Sequence, residues 1–143
     1  MLVRFTVPGD PVAKGRARSV TRRGKGGASY IAHITPEKTE RYEARVAVFA
    51  QQAMAGAPLI DGPCELDLSI FVRIPESWSQ KKKTEAANGS IKPTTKPDCS
   101  NILKAIEDAM NGVVWVDDKQ IVSLRIRKSY APAPCVCVTV TSL

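Results

Sequence analysis

Lys96-Pro97-Asp98-Cys99-Ser100-Asn101-Ile102-Leu103-Lys104-Ala105-Ile106-Glu107-Asp108-Ala109-Met110-Asn111-Gly112, followed by Asp117-Asp118-Lys119-Gln120, is the stretch on which the fold turns. Between Ser100 and Met110 the residues Ile102, Ala105, Ile106 and Ala109 recur with the helical period, so one side of this helix is apolar and needs a partner surface. Asn111-Gly112 supplies its stop. Asn101, Lys104 and Asp108 recur at i, i+3 and i+7, which stacks three polar side chains on a separate stripe. A short apolar piece, Val113 to Val116, leads to the Asp117-Asp118 turn. Two strands then close the chain, Ile121 to Lys128 and Cys135 to Thr141, joined by Pro132-Ala133-Pro134.

Upstream, Leu66, Leu68, Ile70 and Val72 alternate with Glu65, Asp67 and Ser69, which makes Cys64 to Ile74 a half-buried strand. Pro75 ends it. Residues 75–97 form an unusually long connection for a compact domain, which indicates either function or disorder. Within it Ser77-Trp78-Ser79-Gln80 has capping-box spacing, and Gly89 can stop a short helix. Trp78 either tucks that helix onto the body or stacks on a base. Farther back, Thr35-Pro36 marks a helix start, with Thr35 at the cap and Pro36 at the first helical position. Tyr42, Val46, Phe49, Ala50 and Ala53 then form one buried stripe that ends at Gly56. Leu2 to Pro8 and Tyr30 to Ile34 read as strands. The sum is a single domain over residues 1–143 of the α+β class, a mixed sheet of four to five strands packed by two main helices.

The net charge of +7 favours a polyanionic partner. Lys14, Arg16, Arg18, Arg22, Arg23 and Lys25 follow one another with no acidic residue between them, and glycines 15, 24, 26 and 27 predict a mobile loop. Arginine forks suit phosphate oxygens, so these arginines and Lys14 are candidate DNA contacts. Lys81-Lys82-Lys83 is a second basic run, either a solvated surface or a further contact. Cysteines at 64, 99, 135 and 137 form no C-x-x-C pair, and His33 is the sole histidine, which argues against a structural zinc site and for buried, reduced thiols. No apolar run approaches the ~20 residues of a membrane span. The N-terminus alternates like a strand rather than a signal peptide, so a cytoplasmic location is expected.

Clustered carboxylates in a basic protein would repel the polyanion that the rest of the chain attracts. The conflict disappears if they hold a divalent cation that faces phosphate, which points to a metal-dependent enzyme acting on nucleic acid. Each residue also has a plainer reading. Asp98 and Ser100 can cap a helix. Asp117-Asp118 can be a polar turn, and Lys104 can pair with Asp108 one turn on.

The pattern K-P-D-x-x-N-x-x-K-x-x-x-D-A-x-N-G, followed by D-D-x-Q-I, resembles the RusA-like family of Holliday-junction resolvases. Gly9-Asp10-Pro11-Val12-Ala13-Lys14-Gly15-Arg16 and Thr35-Pro36-Glu37-Lys38-Thr39 are similar to that family's opening motifs, so the likeness covers most of the chain. It implies a homodimeric, magnesium-dependent endonuclease, with manganese as a substitute, that nicks two strands of a four-way DNA junction symmetrically in recombination and repair. The family's catalytic acids map onto Asp98 and Asp118, with Asp117 adjacent as a further metal ligand, and its catalytic lysine maps onto Lys104. Asn101 and Asp108 are then supports for these groups.

The family usually carries a second aspartate two residues after the first, and here that position is Ser100. A serine can cap the helix or touch a metal-bound water but brings no negative charge. A non-cleaving, branched-DNA-binding protein of the same fold is therefore the alternative. An RNA-binding role fits least, because aromatics make up only 6% of the chain and stacking needs them.

Overall fold

Strand alternation and helical period meet on one surface of a mixed sheet. The computed structural model describes residues 1–16 and 18–143. In chain order the elements are β1 (Leu2–Pro8), β2 (Arg18–Arg23), β3 (Ser29–Ile34), α1 (Glu37–Met54), β4 (Cys64–Arg73), α2 (Gln80–Ala87), α3 (Cys99–Met110), β5 (Ile121–Ala131) and β6 (Cys135–Ser142). The main sheet has the order β1-β6-β4-β5, and β2 and β3 form a separate two-stranded sheet. β6 runs antiparallel to both neighbours, whereas β4 and β5 are parallel.

Register turns the alternation into rows. Val3 faces Val140, which faces Leu66; Phe5, Val138 and Leu68 form the next row, and Val7, Val136 and Ile70 the third. All are buried. α1 adds Tyr42, Val46, Ala50 and Met54, and α3 adds Ile102, Ala105, Ile106, Ala109 and Met110 to the same cluster. Burying each large side chain contributes about 1.5–3 kcal/mol, which is what holds two amphipathic helices on the sheet. The other sheet face stays polar, with Arg127 donating to Asp67 Oδ1 at 2.9 Å and to Ser69 Oγ at 3.0 Å.

Several local expectations are corrected. The basic segment is not a loop throughout: residues 18–23 pair with residues 29–34 along six positions. Val20 and Thr21 favour extended backbone, and the glycines supply the turn, with Gly26 and Gly27 at φ 86° and 81°. Pro36, at φ −55° and ψ 141°, is the cap residue of α1, and the helix starts one residue later than expected, without a side-chain cap. Ser79 rather than Ser77 caps α2, accepting from the Lys82 amide at 3.3 Å. Trp78 does tuck onto the body: its ring meets Tyr130 edge-on at 5.3 Å between centroids, and the Lys82 ammonium lies 4.0 Å over it. The four cysteines are unpaired, but only Cys64 is buried; Cys135 and Cys137 share the face of β6 that the helices leave uncovered.

Candidate active site

α3 carries the site along its length. Asp98 is its cap residue by backbone conformation (φ −74°, ψ 145°), yet its side chain makes no capping bond. The carboxylate is exposed and accepts from Asn101 Nδ2 at 3.4 Å. It borders an open hollow with Arg16, Lys96 and Asn101. Lys128 of β5 holds the approach to it, donating to the carbonyls of Thr95 at 2.9 Å and Pro97 at 3.1 Å. Ser100 lies in the first turn and is exposed; it is not the cap residue.

Lys104, about one turn beyond Ser100, donates its ammonium to Asp108 Oδ1 at 3.1 Å and stands 4.0 Å from Asp118 Oδ2. Hydrogen bonding to Asp108 raises its pKa above 10.5, with further help from Asp118 and Glu107. Lys14 sits between Glu43 Oε1 at 2.5 Å and Asp108 Oδ2 at 3.2 Å. Burial pushes this ammonium toward neutrality, and the bonds to Glu43 and Asp108 more than offset it, leaving the pKa raised.

The turn after α3 separates its two aspartates by role. Asp117 caps the 3-10 turn Asp118–Gln120, with Oδ1 accepting from the Lys119 amide at 2.9 Å. Gln120 Oε1 accepts from the Val116 and Asp117 amides, both at 2.9 Å, and its Nε2 donates to the carbonyls of Ile60 and Gly62 at 2.8 and 2.9 Å. Asp118 takes no part in that knot. Its Oδ2 accepts from Asn111 Nδ2 at 3.4 Å, and Asn111 Oδ1 accepts from the buried Trp115 Nε1 at 2.6 Å. An indole can only donate, so Trp115 fixes which end of the Asn111 amide faces Asp118.

Asp118 is bonded to Asn111, thirteen residues and about 20 Å of helix axis beyond Asp98. The course of β5 agrees with this separation, since the strand leaves Asp118 and brings Lys128 back to Pro97 at the opposite end of α3. Among the described residues no group of three or more His, Cys, Asp or Glu side chains is arranged to hold a metal ion.

Arg16, Arg22 and Arg23 are exposed, and the last two belong to the β2–β3 hairpin. Arg18 lies in β2 by its backbone, and its side chain falls outside the described portion. Glu107 was not singled out by the sequence; it is half-buried, and burial first and the Asp118 charge second raise its pKa. Asn111, Trp115, Gln120 and Glu43 were missed as well. Asp117-x-x-Gln120 has the spacing of a capping box, a signal that could have found Gln120. Trp115 and Glu43 carried no such mark.

The family model described as Endodeoxyribonuclease RusA matches residues 8–141. The chain belongs to the RusA family. In this RusA-family chain the matched span runs from the end of β1 nearly to the end of β6, so it takes in the hairpin, both main helices and the whole of the site. The chain is also 38% identical over 140 residues to the "Uncharacterized protein YqaN" of Bacillus subtilis (strain 168), a match that covers 96% of this chain and 94% of that protein. Membership places this chain in a family of DNA endonucleases.

Proposed function

We propose that this chain is a divalent-metal-dependent endonuclease that acts as a homodimer and nicks paired strands of branched DNA, four-way junctions above all. The observation that carries the reading is Lys104, a half-exposed ammonium held by Asp108 beside Asp118. It lies on the same helix that presents Asp98 to a hollow bordered by Arg16 and Lys96. Phosphodiester hydrolysis loads negative charge onto the phosphate oxygens, and a lysine already fixed in place stabilises that charge without reorganising. Arg16, Arg18, Arg22 and Arg23 supply phosphate contacts that orient the duplex arms, and shape rather than base sequence selects the substrate.

A divalent cation bound at such a centre would polarise the phosphate and acidify the attacking water. Asp98 and Asp118 are the carboxylates that would hold magnesium or manganese, whereas Asp117 already serves the turn. The chain's own groups bind the phosphates, orient the duplex arms and stabilise the developing charge. Two nicks need two centres, and a two-fold dimer carries two sets of these residues.

Ser100 supports a second reading, a junction-binding protein that does not cut, because its hydroxyl adds no charge where the family usually has an aspartate. A denaturing gel of labelled four-way junction and linear duplex, each with magnesium and with chelator, separates the two. Paired, symmetric, magnesium-dependent nicks in the junction are the expected result. Binding without nicks would favour the second reading, and a gain of cleavage in Ser100→Asp would locate the cause. A junction neither bound nor cut would remove both.

A further inference from the structure

Lys14 opens the basic segment, and its charge alone suggests a phosphate contact. Its surroundings say otherwise. The ammonium is three-quarters covered and lies between two carboxylates, Glu43 of α1 and Asp108 of α3. The backbone there is tied down twice, with the Lys14 amide donating to the Asn101 carbonyl at 2.9 Å and the Gly15 amide to Thr39 Oγ1 at 3.0 Å. Thr39 is itself buried. Asp108 divides its oxygens: Oδ2 faces Lys14, and Oδ1 faces Lys104.

We propose that Asp108 is the positioning residue for Lys104, and that Lys14 and Glu43 orient Asp108 for that task. The inference rests on the endonuclease reading for its purpose and on the ion chain for its geometry. A lysine on an exposed helix face samples many rotamers, and confining it costs up to about 2 kcal/mol of side-chain entropy. An Asp108 carboxylate held only by Lys104 would be free to turn with it. Lys14 pins the far oxygen, Glu43 pins Lys14, and the two helices carry both anchors. Two cations face two carboxylates, so Lys14 adds no net repulsion against Lys104. The same tie sets where the chain leaves the body, two residues before Arg16.

The test compares Asp108→Asn, Glu43→Gln and Lys14→Met with the unaltered chain on a four-way junction. Asp108→Asn lowers the single-turnover cleavage rate at saturating protein by about tenfold or more, the scale of a misplaced catalytic group. Junction affinity stays within about twofold, because every phosphate partner is kept. Lys14→Met and Glu43→Gln lower the rate by smaller factors, and the double variant Lys14→Met/Asp108→Asn is no slower than Asp108→Asn, as members of one chain should behave. A phosphate-contacting Lys14 would instead weaken binding and reduce the salt slope by about one, and that result overturns the proposal. An unchanged cleavage rate in Asp108→Asn overturns it equally.

Cleavage by the unaltered chain tests the endonuclease reading separately. If that chain binds but does not cut, acylation of Lys104 measured by mass spectrometry decides. Release from Asp108 accelerates modification of Lys104 several-fold in Asp108→Asn, and an unchanged rate refutes the positioning role.

Discussion

Gln120 devotes both ends of its amide to the fold, accepting two backbone amides and donating to two carbonyls. Gln120→Glu keeps the shape but turns the donating nitrogen into an oxygen facing the Ile60 and Gly62 carbonyls. Net hydrogen bonds contribute about 1 kcal/mol each, and an acceptor forced against acceptors costs more, so destabilisation of about 2–4 kcal/mol is expected in denaturant unfolding. Gln120→Ala should be the milder of the two. Glu107 makes a contrasting prediction. Its folded pKa lies above 4.5 because burial and then Asp118 oppose its charge. A carboxyl raised in this way favours the folded state below pH 4.5, and that contribution is lost as pH rises through the folded pKa. Glu107→Gln should therefore raise the melting temperature at pH 7, and the gain should shrink toward nothing below pH 4.5. A variant that melts lower than the parent at pH 7 would count against this account.

The β2–β3 hairpin shows how an element differs from its composition. Charge and glycine marked residues 14–25 as a loop, because no long apolar alternation announces a strand there; Val20 is the lone large aliphatic residue of β2. Pairing with β3 makes the strand, and this pairing lies outside what a local pattern encodes. Pairing with β3 sets Arg22 opposite Tyr30 and Arg23 opposite Ser29. Replacing both with alanine should weaken junction binding most at low salt and flatten the salt dependence by about 0.9 for each phosphate no longer neutralised. Filter binding across a salt series measures this, and an unchanged slope would remove these two side chains from the interface. α2 was legible as a helix because Gly89 stops it, but its cap was placed two residues early. Ser77 and Ser79 are chemically equal candidates, and the docking of Trp78 on Tyr130 belongs to tertiary packing that cannot be read from the spacing.

At the scale of the molecule, one chain sets Asp98 at the start of α3 and ties Asp118 to Asn111 and Lys104 farther along it, and the proposed reaction cuts two strands. Cleavage by a homodimer should fall faster than linearly on dilution below the dimer dissociation constant, while remaining proportional to protein above it. Gel rates measured beside light scattering or sedimentation across the same concentrations check this; a monomer that cuts with undiminished specific activity would defeat the dimer proposal. The sequence by itself determined the α+β class, the two amphipathic helices, the alternating strands and the family motif, because each is a local period or spacing that the backbone's geometry converts directly into a face. Only the tertiary structure decided that Lys14 pairs with Asp108, that Trp115 aims Asn111 at Asp118, and that β5 runs back along α3 so that Lys128 reaches Pro97. Those facts depend on which ends of which elements come together, and that is set by packing one apolar face against another across long stretches of chain.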